Sequence, residues 1–190
     1  SIKSLIQKNE HESAINYLTT FSKLIRTIFQ NSDKRDITLF DELETCRLYT
    51  HLESMRFGDK FTHTFHIDET LDLKSVMVPA LIIQPFVENA IWHGIMPRED
   101  AGSVTVEVCE NSDIISCIID DNGIGREESN RGKFKSGSST HESKGVRLTQ
   151  SRLDLDNLLN ERKASVEIID KKDEYGKATG TRVIIELTKY

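Results

Sequence analysis

The sequence has little of what stabilises small secreted proteins or anchors a chain in a bilayer. Its 190 residues include only three cysteines, three prolines and one tryptophan. Cys46, Cys109 and Cys117 form no C-x-x-C pair, so we expect free buried thiols in a reducing compartment. The longest apolar run, residues 76–83, contains Pro79 and is far too short to span a membrane. These residues therefore exclude a disulfide scaffold and a membrane-spanning segment.

A strong excess of one charge is also missing. Lysine and arginine number 25 against 31 aspartates and glutamates, which gives a net charge of −6 at pH 7. The basic residues are scattered along the chain, whereas a protein that binds nucleic acid or an anionic membrane surface concentrates them. We therefore expect no nucleic-acid partner. A small anionic ligand needs only a local positive field and stays compatible with this composition.

The first third of the chain has the apolar spacing of helices. One set of residues steps by four and three, which is typical of a seam that packs helix on helix. This seam comprises Ala14, Leu18, Phe21, Ile25 and Ile28. After a polar break at residues 31–36, Thr38 and Asp41 have the spacing of a capping box that opens a second helix. Gly58 is placed to end that helix, so we predict a helical hairpin over residues 1–59.

Beyond residue 60 the pattern changes to that of a mixed domain. Alternating or continuous apolar residues predict strands at 61–66, 104–108, 114–119, 165–170 and 181–188. We predict helices from Pro79 to Ile95 and over 144–160, and a long mobile loop over 122–143. The predicted fold class is α+β, a two-layer sandwich with a mixed, mostly antiparallel sheet and helices on one face. Residues 60–190 would form this second domain.

The first segment with chemical potential lies in the predicted apolar helix. Asn89 and His93 are four residues apart, so both side chains project from one face. An amide oxygen is a suitable ligand for Mg²⁺, which keeps water and phosphate oxygens as its other ligands. Glu88 could orient or deprotonate a nucleophile. The alternative is that Asn89 and His93 are polar groups of the core whose hydrogen bonds are satisfied there.

Two glycine-containing segments follow. Asp121, Gly123 and Gly125 end the predicted central strand, where the glycines let the backbone approach a flat ligand. Asp121 would present a carboxylate to an exocyclic amine, although a plain D-N-G turn explains the same residues. Further on, Gly145 follows Ser143 at the start of a helix, where backbone N–H groups favour an anion. Helix starts are common, so this third segment is weak by itself.

Together these segments resemble the GHKL (Bergerat) ATP-binding fold of histidine kinases, gyrase-type ATPases and MutL. The order is N-x-x-x-H-G, then D-x-G-x-G about 30 residues on, then a glycine-led helix and finally Gly180-Thr181. The segment over residues 79–90 also resembles the LytS-type sensor kinase pattern P-x-x-x-L-Q-P-[LF]-V-E-N-A. Arg56-Phe57-Gly58 is similar to the R-[FL]-G element of that family. The resemblance covers essentially the whole chain.

The resemblance implies that ATP and Mg²⁺ are the cofactors. Asn89 would coordinate Mg²⁺ between the phosphates, and Glu88 would be the acid–base residue. His93 and Gly94 would lie on the phosphate side of the pocket. Gly145 would cap the phosphates from the helix that follows the loop.

The same resemblance implies an adenine end of the pocket. Asp121 would accept a hydrogen bond from the adenine amine, while Gly123 and Gly125 would shape the pocket and Thr181 would support it. The family's loop usually ends G-x-G-L-x-N. In this chain Ser143 replaces the first glycine and Leu148 stands at the asparagine position, which puts the closure of the loop in question.

The family carries its phosphoacceptor histidine in an N-P-H-F-x-F-N segment. The chain starts at Ser1 with residues that resemble those just after this segment, and His11 lacks the expected proline context. We therefore expect a fragment that binds ATP without phosphorylating itself at the usual site. The parent protein would pass the γ-phosphoryl group to its histidine and then to an aspartate of a response regulator. It would be a homodimer and an inner-membrane sensor, with the present residues cytoplasmic and joined to the membrane only through segments absent here.

Other functions share these motifs. A different GHKL ATPase, or a serine kinase of the anti-sigma-factor type, would keep the pocket, but those relatives lack a helical hairpin in front of it. A catalytically silent scaffold would keep the fold, and the altered loop favours it mildly, whereas Asn89 and Asp121 are intact. A mixed α/β domain without a ligand would need the joint motif match to arise by chance.

Overall fold

A sheet, a helical layer and a preceding helical hairpin make up residues 2–129, 144–160 and 163–188, which the computed structural model describes. The helices are α1 (Ile2–Gln7), α2 (His11–Ser32), α3 (Leu39–Phe57), α4 (Gln84–Asn89) and α5 (Lys144–Asn160). The strands are β1 (Asp36–Thr38), β2 (Phe61–Ile67), β3 (Met77–Pro79), β4 (Gly102–Asn111), β5 (Ile114–Asp121), β6 (Ser165–Lys172) and β7 (Ala178–Thr188).

The main sheet has five strands in the order β2-β4-β5-β7-β6. Only the β2–β4 pairing is parallel, and the other three are antiparallel. Alternate residues on one face are buried, as Val104, Val106 and Val108 of β4 are, and α4 with the segment after it covers this face. The predicted two-layer α+β sandwich with a mixed, mostly antiparallel sheet is confirmed, and β5 is its central strand as the apolar run indicated.

Helix α3 starts and ends where the sequence predicted. The Thr38 side chain accepts a hydrogen bond from the Asp41 backbone N–H at 3.1 Å, which satisfies a donor that a helix start leaves free. At the other end Gly58 has a φ of +60°, a left-handed conformation that costs glycine little. The helix therefore spans Leu39–Phe57 because a cap fixes each end.

The core of the molecule includes α3. Leu39, Leu43 and Cys46 are buried in the same cluster as Phe86 and Val106. The hairpin's second helix thus packs into the domain that carries the sheet. The division between residues 59 and 60 stays a prediction, and a boundary there would cut through shared packing.

Helix α2 turns only part of its apolar surface toward α3. Of the predicted seam, Ala14 is buried, but Leu18, Phe21 and Ile25 are 46%, 45% and 43% exposed. Leu24, which lies outside the seam, is buried instead. The seam therefore forms an apolar face that the described residues leave largely uncovered.

The helix expected from Pro79 begins five residues later, so that boundary was wrong. Pro79 ends β3, where it pairs with Asp36 of β1, and Leu81 then adopts a φ of +60°. Pro85 lies in the first turn of α4, a position where its missing N–H is no loss. After α4 the chain continues as a π-helix over Ala90–Ile95.

Two further boundaries differ from expectation. The last strand begins at Ala178 rather than Thr181, because a tight turn closed by the Gly176 N–H donating to the Asp173 carbonyl brings β7 back early. Within the predicted loop, residues 126–129 form a helical turn. The rest of that loop, residues 130–143, lies outside the described residues, as do Ser143 and His141. All three cysteines are free.

The packing of α3 can be tested by removing one core side chain. We expect Leu43→Ala to lower the free energy of unfolding by about 3 kcal/mol, because it removes a buried side chain and leaves a cavity. Leu158→Ala on α5 is the control, since Leu158 is 80% exposed. Urea unfolding measures both variants. A cost below about 1 kcal/mol for Leu43→Ala would contradict the assignment of α3 to the domain core.

Candidate functional site

Two of the predicted motifs meet through glycines. A Cβ added to Gly123 would lie 2.4 Å from the Gly94 carbonyl carbon and Cα, and one added to Gly94 would lie 2.9 Å from Asp121 Oδ1. The Ile124 N–H donates to the Gly94 carbonyl at 2.9 Å. The end of the helical segment and the end of β5 thus touch backbone to backbone. This approach is closed to any residue with a side chain.

Asp121 is the buried acid of this contact. Its side chain accepts hydrogen bonds from the Gly123 N–H at 2.7 Å and the Thr181 N–H at 3.3 Å, both at Oδ1. Burial raises the pKa of Asp121 to about 6, although the two N–H donors act in the opposite direction. Because both donors use the same oxygen, Oδ2 stays available as an acceptor. Thr181 also lies directly opposite Asp121 in the β5–β7 pairing.

The loop after Asp121 packs on the start of β7. Gly125 has a φ of +76°, and a Cβ there would lie 2.7 Å from Ala178 Cβ. Gly180 has a φ of +130°, and a Cβ on it would lie 2.0 Å from the Asp121 carbonyl oxygen. These contacts go beyond a plain turn, because they join the D-x-G-x-G segment to Gly180-Thr181 across 60 residues of sequence.

A cavity of about 300 Å³ lies beside His93, the residue that precedes Gly94 in sequence. Its volume is within the size range of small-molecule sites. Its lining consists of Pro85, Glu88, Asn89, Trp92, His93 and Gly145. Four residues predicted on the phosphate side therefore line one cavity, although the helix widens to π geometry between Asn89 and His93. Gly94, which was predicted on the same side, lies at the Asp121 contact instead. Gly145 reaches the cavity as the second residue of α5, where helix N–H groups lack partners within the helix.

The nine predicted site residues therefore form two neighbouring groups. Glu88, Asn89, His93 and Gly145 line the cavity. Gly94, Asp121, Gly123, Gly125 and Thr181 surround the buried carboxyl group. His93 and Gly94 are adjacent in sequence and connect the two groups. Leu148, at the expected asparagine position, is 63% exposed.

Sequence reasoning missed several residues that support the cavity. Gln84 Nε2 donates to Glu88 Oε1 at 2.8 Å. Trp92 Nε1 donates to the Tyr49 hydroxyl oxygen at 2.8 Å, and the Phe57 ring meets the Trp92 ring edge to face at 5.4 Å. Gln84 and Trp92 fall inside the quoted motifs, so their positions alone could have identified them. Phe57 lies in the quoted Arg56-Phe57-Gly58 element, whereas Tyr49 has no such signal.

Glu42 of α3 was also missed. Its carboxylate is completely buried and accepts hydrogen bonds from the N–H groups of Leu81, Ile83 and Gln84. A signal did exist, because Glu42 follows Leu39 by three residues and precedes Cys46 by four. An acid in the middle of an apolar stripe indicates a buried polar role.

Sequence comparisons find similar proteins. A family model described as "Histidine kinase" matches residues 1–61. The sensor histidine kinase YpdA of Escherichia coli is 35% identical over 125 residues, which are 66% of this chain and 21% of that protein. The sensor protein LytS of Staphylococcus haemolyticus is 33% identical over 122 residues, which are 64% of this chain and 20% of that protein.

The chain is similar to sensor histidine kinases of the LytS type over 64–66% of its length. It spans only 20–21% of the length of these two relatives. The sensor histidine kinase/phosphatase LytS of Staphylococcus aureus is 32% identical over a similar share, 66% of this chain and 21% of that protein. The predicted resemblance to the LytS type is thus confirmed.

Solved structures support the fold. The histidine kinase domain of a blue-light activated kinase from Erythrobacter litoralis has a TM-score of 0.57 at 16% identity, covering 93% of this chain and 75% of that one. The histidine kinase AdeS of Acinetobacter baumannii has a TM-score of 0.51 at 14% identity, covering 98% and 83%. Among the described residues, none of the helices combines the length and the apolar character that a membrane span requires.

The buried carboxyl group of Asp121 gives the protein a pH-dependent stability. Because the pKa of Asp121 is about 6 in the folded protein against an ordinary 3.8, the folded state keeps a proton that the unfolded chain has lost between those values. The stabilising contribution is full below pH 3.8 and is lost as the pH rises through 6, in total about 3 kcal/mol. Asp121→Asn should remove this dependence in urea unfolding from about pH 4 to 8.

Asp170→Asn is the control with the opposite sign. Its hydrogen bonds from Arg126 hold the pKa of Asp170 below the ordinary value, so its stabilising contribution is lost as the pH falls. A free-energy difference between the unmodified protein and Asp121→Asn that stays flat from about pH 4 to 7 would contradict the raised pKa.

Proposed function

We propose that this chain binds ATP with Mg²⁺ as the catalytic part of a two-component sensor histidine kinase. The observation that carries the proposal is the contact between Gly94 and the Asp121–Gly123 turn. It sets a buried acceptor beside a cavity lined by an amide, an imidazole and a carboxylate, a combination that suits a molecule with a flat base at one end and phosphates at the other.

The adenine end would lie at Asp121. The Oδ1 atom is held by the N–H groups of Gly123 and Thr181, so the orientation of the carboxyl group is fixed before a ligand arrives. Oδ2 would accept the hydrogen bond of the exocyclic amine. The close approach of Gly123 and Gly94 would form a flat wall for the base, since neither carries a side chain.

The phosphate end would lie in the cavity. Asn89 would supply its amide oxygen to Mg²⁺, and His93 and the N–H groups around Gly145 would face the phosphates. Among the described residues no group of three or more His, Cys, Asp and Glu side chains could hold a metal ion by itself, which suits an ion that takes its remaining ligands from the nucleotide and water. When bound, Mg²⁺ would neutralise charge on the phosphates.

Glu88 would act as the acid–base residue at this end. The Gln84 amide holds Oε1 of its carboxylate at 2.8 Å, and the second oxygen would face the reacting group. Glu88 would remove or orient a proton of the nitrogen nucleophile that receives the phosphoryl group. Positioning would supply most of the rate enhancement.

The parent protein would transfer the γ-phosphoryl group to a histidine beyond the present motifs and then to an aspartate of a response regulator. A homodimer would cover the exposed seam face of α2, where Leu18, Phe21 and Ile25 lie. The chain would be the cytoplasmic part of an inner-membrane sensor. Kinase relatives favour this function over another GHKL ATPase, a serine kinase or a silent scaffold.

Nucleotide binding should be visible as thermal stabilisation and as a change in Trp92 fluorescence. Trp92 is the single tryptophan and lines the cavity, so its emission reports on this site. MgATP at about 100 times its Kd should stabilise the chain by about 2.7 kcal/mol, or roughly 5–10 °C in Tm. Asp121→Asn should abolish the shift. The variant replaces one carboxylate oxygen by an NH2 group, which donates where the adenine amine needs an acceptor.

Asn89→Ala separates the two ends of the site. In this variant Mg²⁺ should no longer increase the affinity for ATP, while weak binding of the metal-free nucleotide is retained. The control, Asn111→Ala at the exposed end of β4, should behave like the unmodified chain. The absence of any shift or fluorescence change at millimolar MgATP in the unmodified chain would contradict nucleotide binding and favour the scaffold.

A further inference from the structure

Glu42 holds a carboxylate inside the protein without a basic partner among the described residues. The side chain is 0% exposed, and burial raises the pKa of Glu42, while only backbone N–H groups act to lower it. Burying a carboxylate this way is costly compared with an apolar residue of similar size. Its neighbours in the stripe, Leu39 and Leu43, show that the position would suit leucine. The acid therefore needs an explanation other than core packing.

The hydrogen bonds of Glu42 show that this residue of α3 caps the start of α4. Oε2 accepts from the Leu81 N–H at 2.9 Å, and Oε1 accepts from Ile83 at 2.8 Å and Gln84 at 3.3 Å. The residue in the N-cap position is Ile83, whose side chain makes no capping hydrogen bond. A helix start leaves N–H groups free, so the carboxylate of α3 replaces the local cap that the sequence of α4 lacks.

The cap connects directly to the cavity through Gln84. The backbone N–H of Gln84 donates to Glu42, and its side-chain amide donates to Glu88 Oε1 at 2.8 Å. Gln84 is itself buried, so its amide has little freedom to turn. Glu88 lies one helical turn after Gln84, and Asn89 follows immediately. The point at which α4 begins thus fixes where both side chains face the cavity.

We propose that Glu42 is a positioning residue of the nucleotide site, acting from the helical hairpin through the start of α4. The proposal rests on the nucleotide site proposed above and adds a residue that touches neither base nor phosphate. Glu42 does not line the cavity. Its effect is expected at the end of the site that α4 builds, where Asn89 and Glu88 lie, and not at the Asp121 end.

Calorimetric titration of Glu42→Gln tests this in the 190-residue chain. The variant keeps the shape but replaces one accepting oxygen by an amide donor, which cannot serve the same N–H groups. We expect the affinity for MgATP to fall roughly tenfold, the size of loss seen when an outer partner of a metal ligand is removed. The affinity for ADP in EDTA should stay unchanged, since it depends on the Asp121 end.

Glu44→Gln is the matched control on the same helix. Glu44 lies 3.9 Å from Lys23 and 4.0 Å from Arg47 at the surface, so its loss should change neither affinity. If Glu42→Gln lowers the affinities for MgATP and for ADP in EDTA equally, the cause is general destabilisation and the proposal is overturned. Unchanged MgATP binding would overturn it as well. An unmodified chain that does not bind MgATP would instead refute the proposed function, and the positioning role with it.

Hydrogen exchange on the unmodified chain covers the case in which Glu42→Gln does not fold. MgATP should slow exchange of the Ile83 and Gln84 amides, which donate to Glu42, more than ADP in EDTA does, because engagement of Asn89 steadies the start of α4. Equal protection of these two amides by both ligands would overturn the proposal.

Discussion

The site depends on one close approach of two backbones, Gly94 at the end of the helical segment and Gly123 after the central strand. A Cβ on Gly123 would lie 2.4 Å from the Gly94 backbone, and one on Gly94 would lie 2.9 Å from Asp121 Oδ1. The two motifs can therefore meet in this way only with glycine at position 123, and a side chain at position 94 would displace the Asp121 carboxyl group. Once they meet, the buried carboxyl group of Asp121 lies against Gly94, which directly follows the cavity residue His93 in sequence. The contact holds the end of the helical segment against the end of β5, although about 30 residues separate the two motifs in sequence.

A second constraint comes from the helical hairpin. Helix α3 packs into the core with Leu39 and Leu43. It also supplies hydrogen-bond acceptors to donors of α4 and of the π-helical segment that follows. Glu42 caps the start of α4, and Tyr49 accepts a hydrogen bond from Trp92 at the cavity. A movement of α3 would therefore displace both ends of the segment that carries Asn89. The hairpin thus supports α4 in addition to packing into the core.

The sequence predicted what local chemistry decides and missed what distant contacts decide. The ends of α3 followed from Thr38 and Gly58, and the central place of β5 followed from its apolar run. The start of α4 was wrong because Pro79 and Pro85 are both acceptable at a helix start, and the choice depends on β1 pairing and on Glu42, about 40 residues earlier. The site motifs were identified by their order, but the hydrogen bond from Thr181 to Asp121 needed the fold.

The central claim is that the Asp121 group and the cavity form one nucleotide site. Amide chemical-shift mapping by NMR, with a non-hydrolysable ATP analogue and Mg²⁺, tests it most directly. We predict that the largest shifts occur together, at one ligand concentration, for the amides of Gly123 and Thr181 at one end and Asn89 and Gly145 at the other. Shifts confined to one of these groups, or scattered over the outer face of the sheet, would contradict a single site.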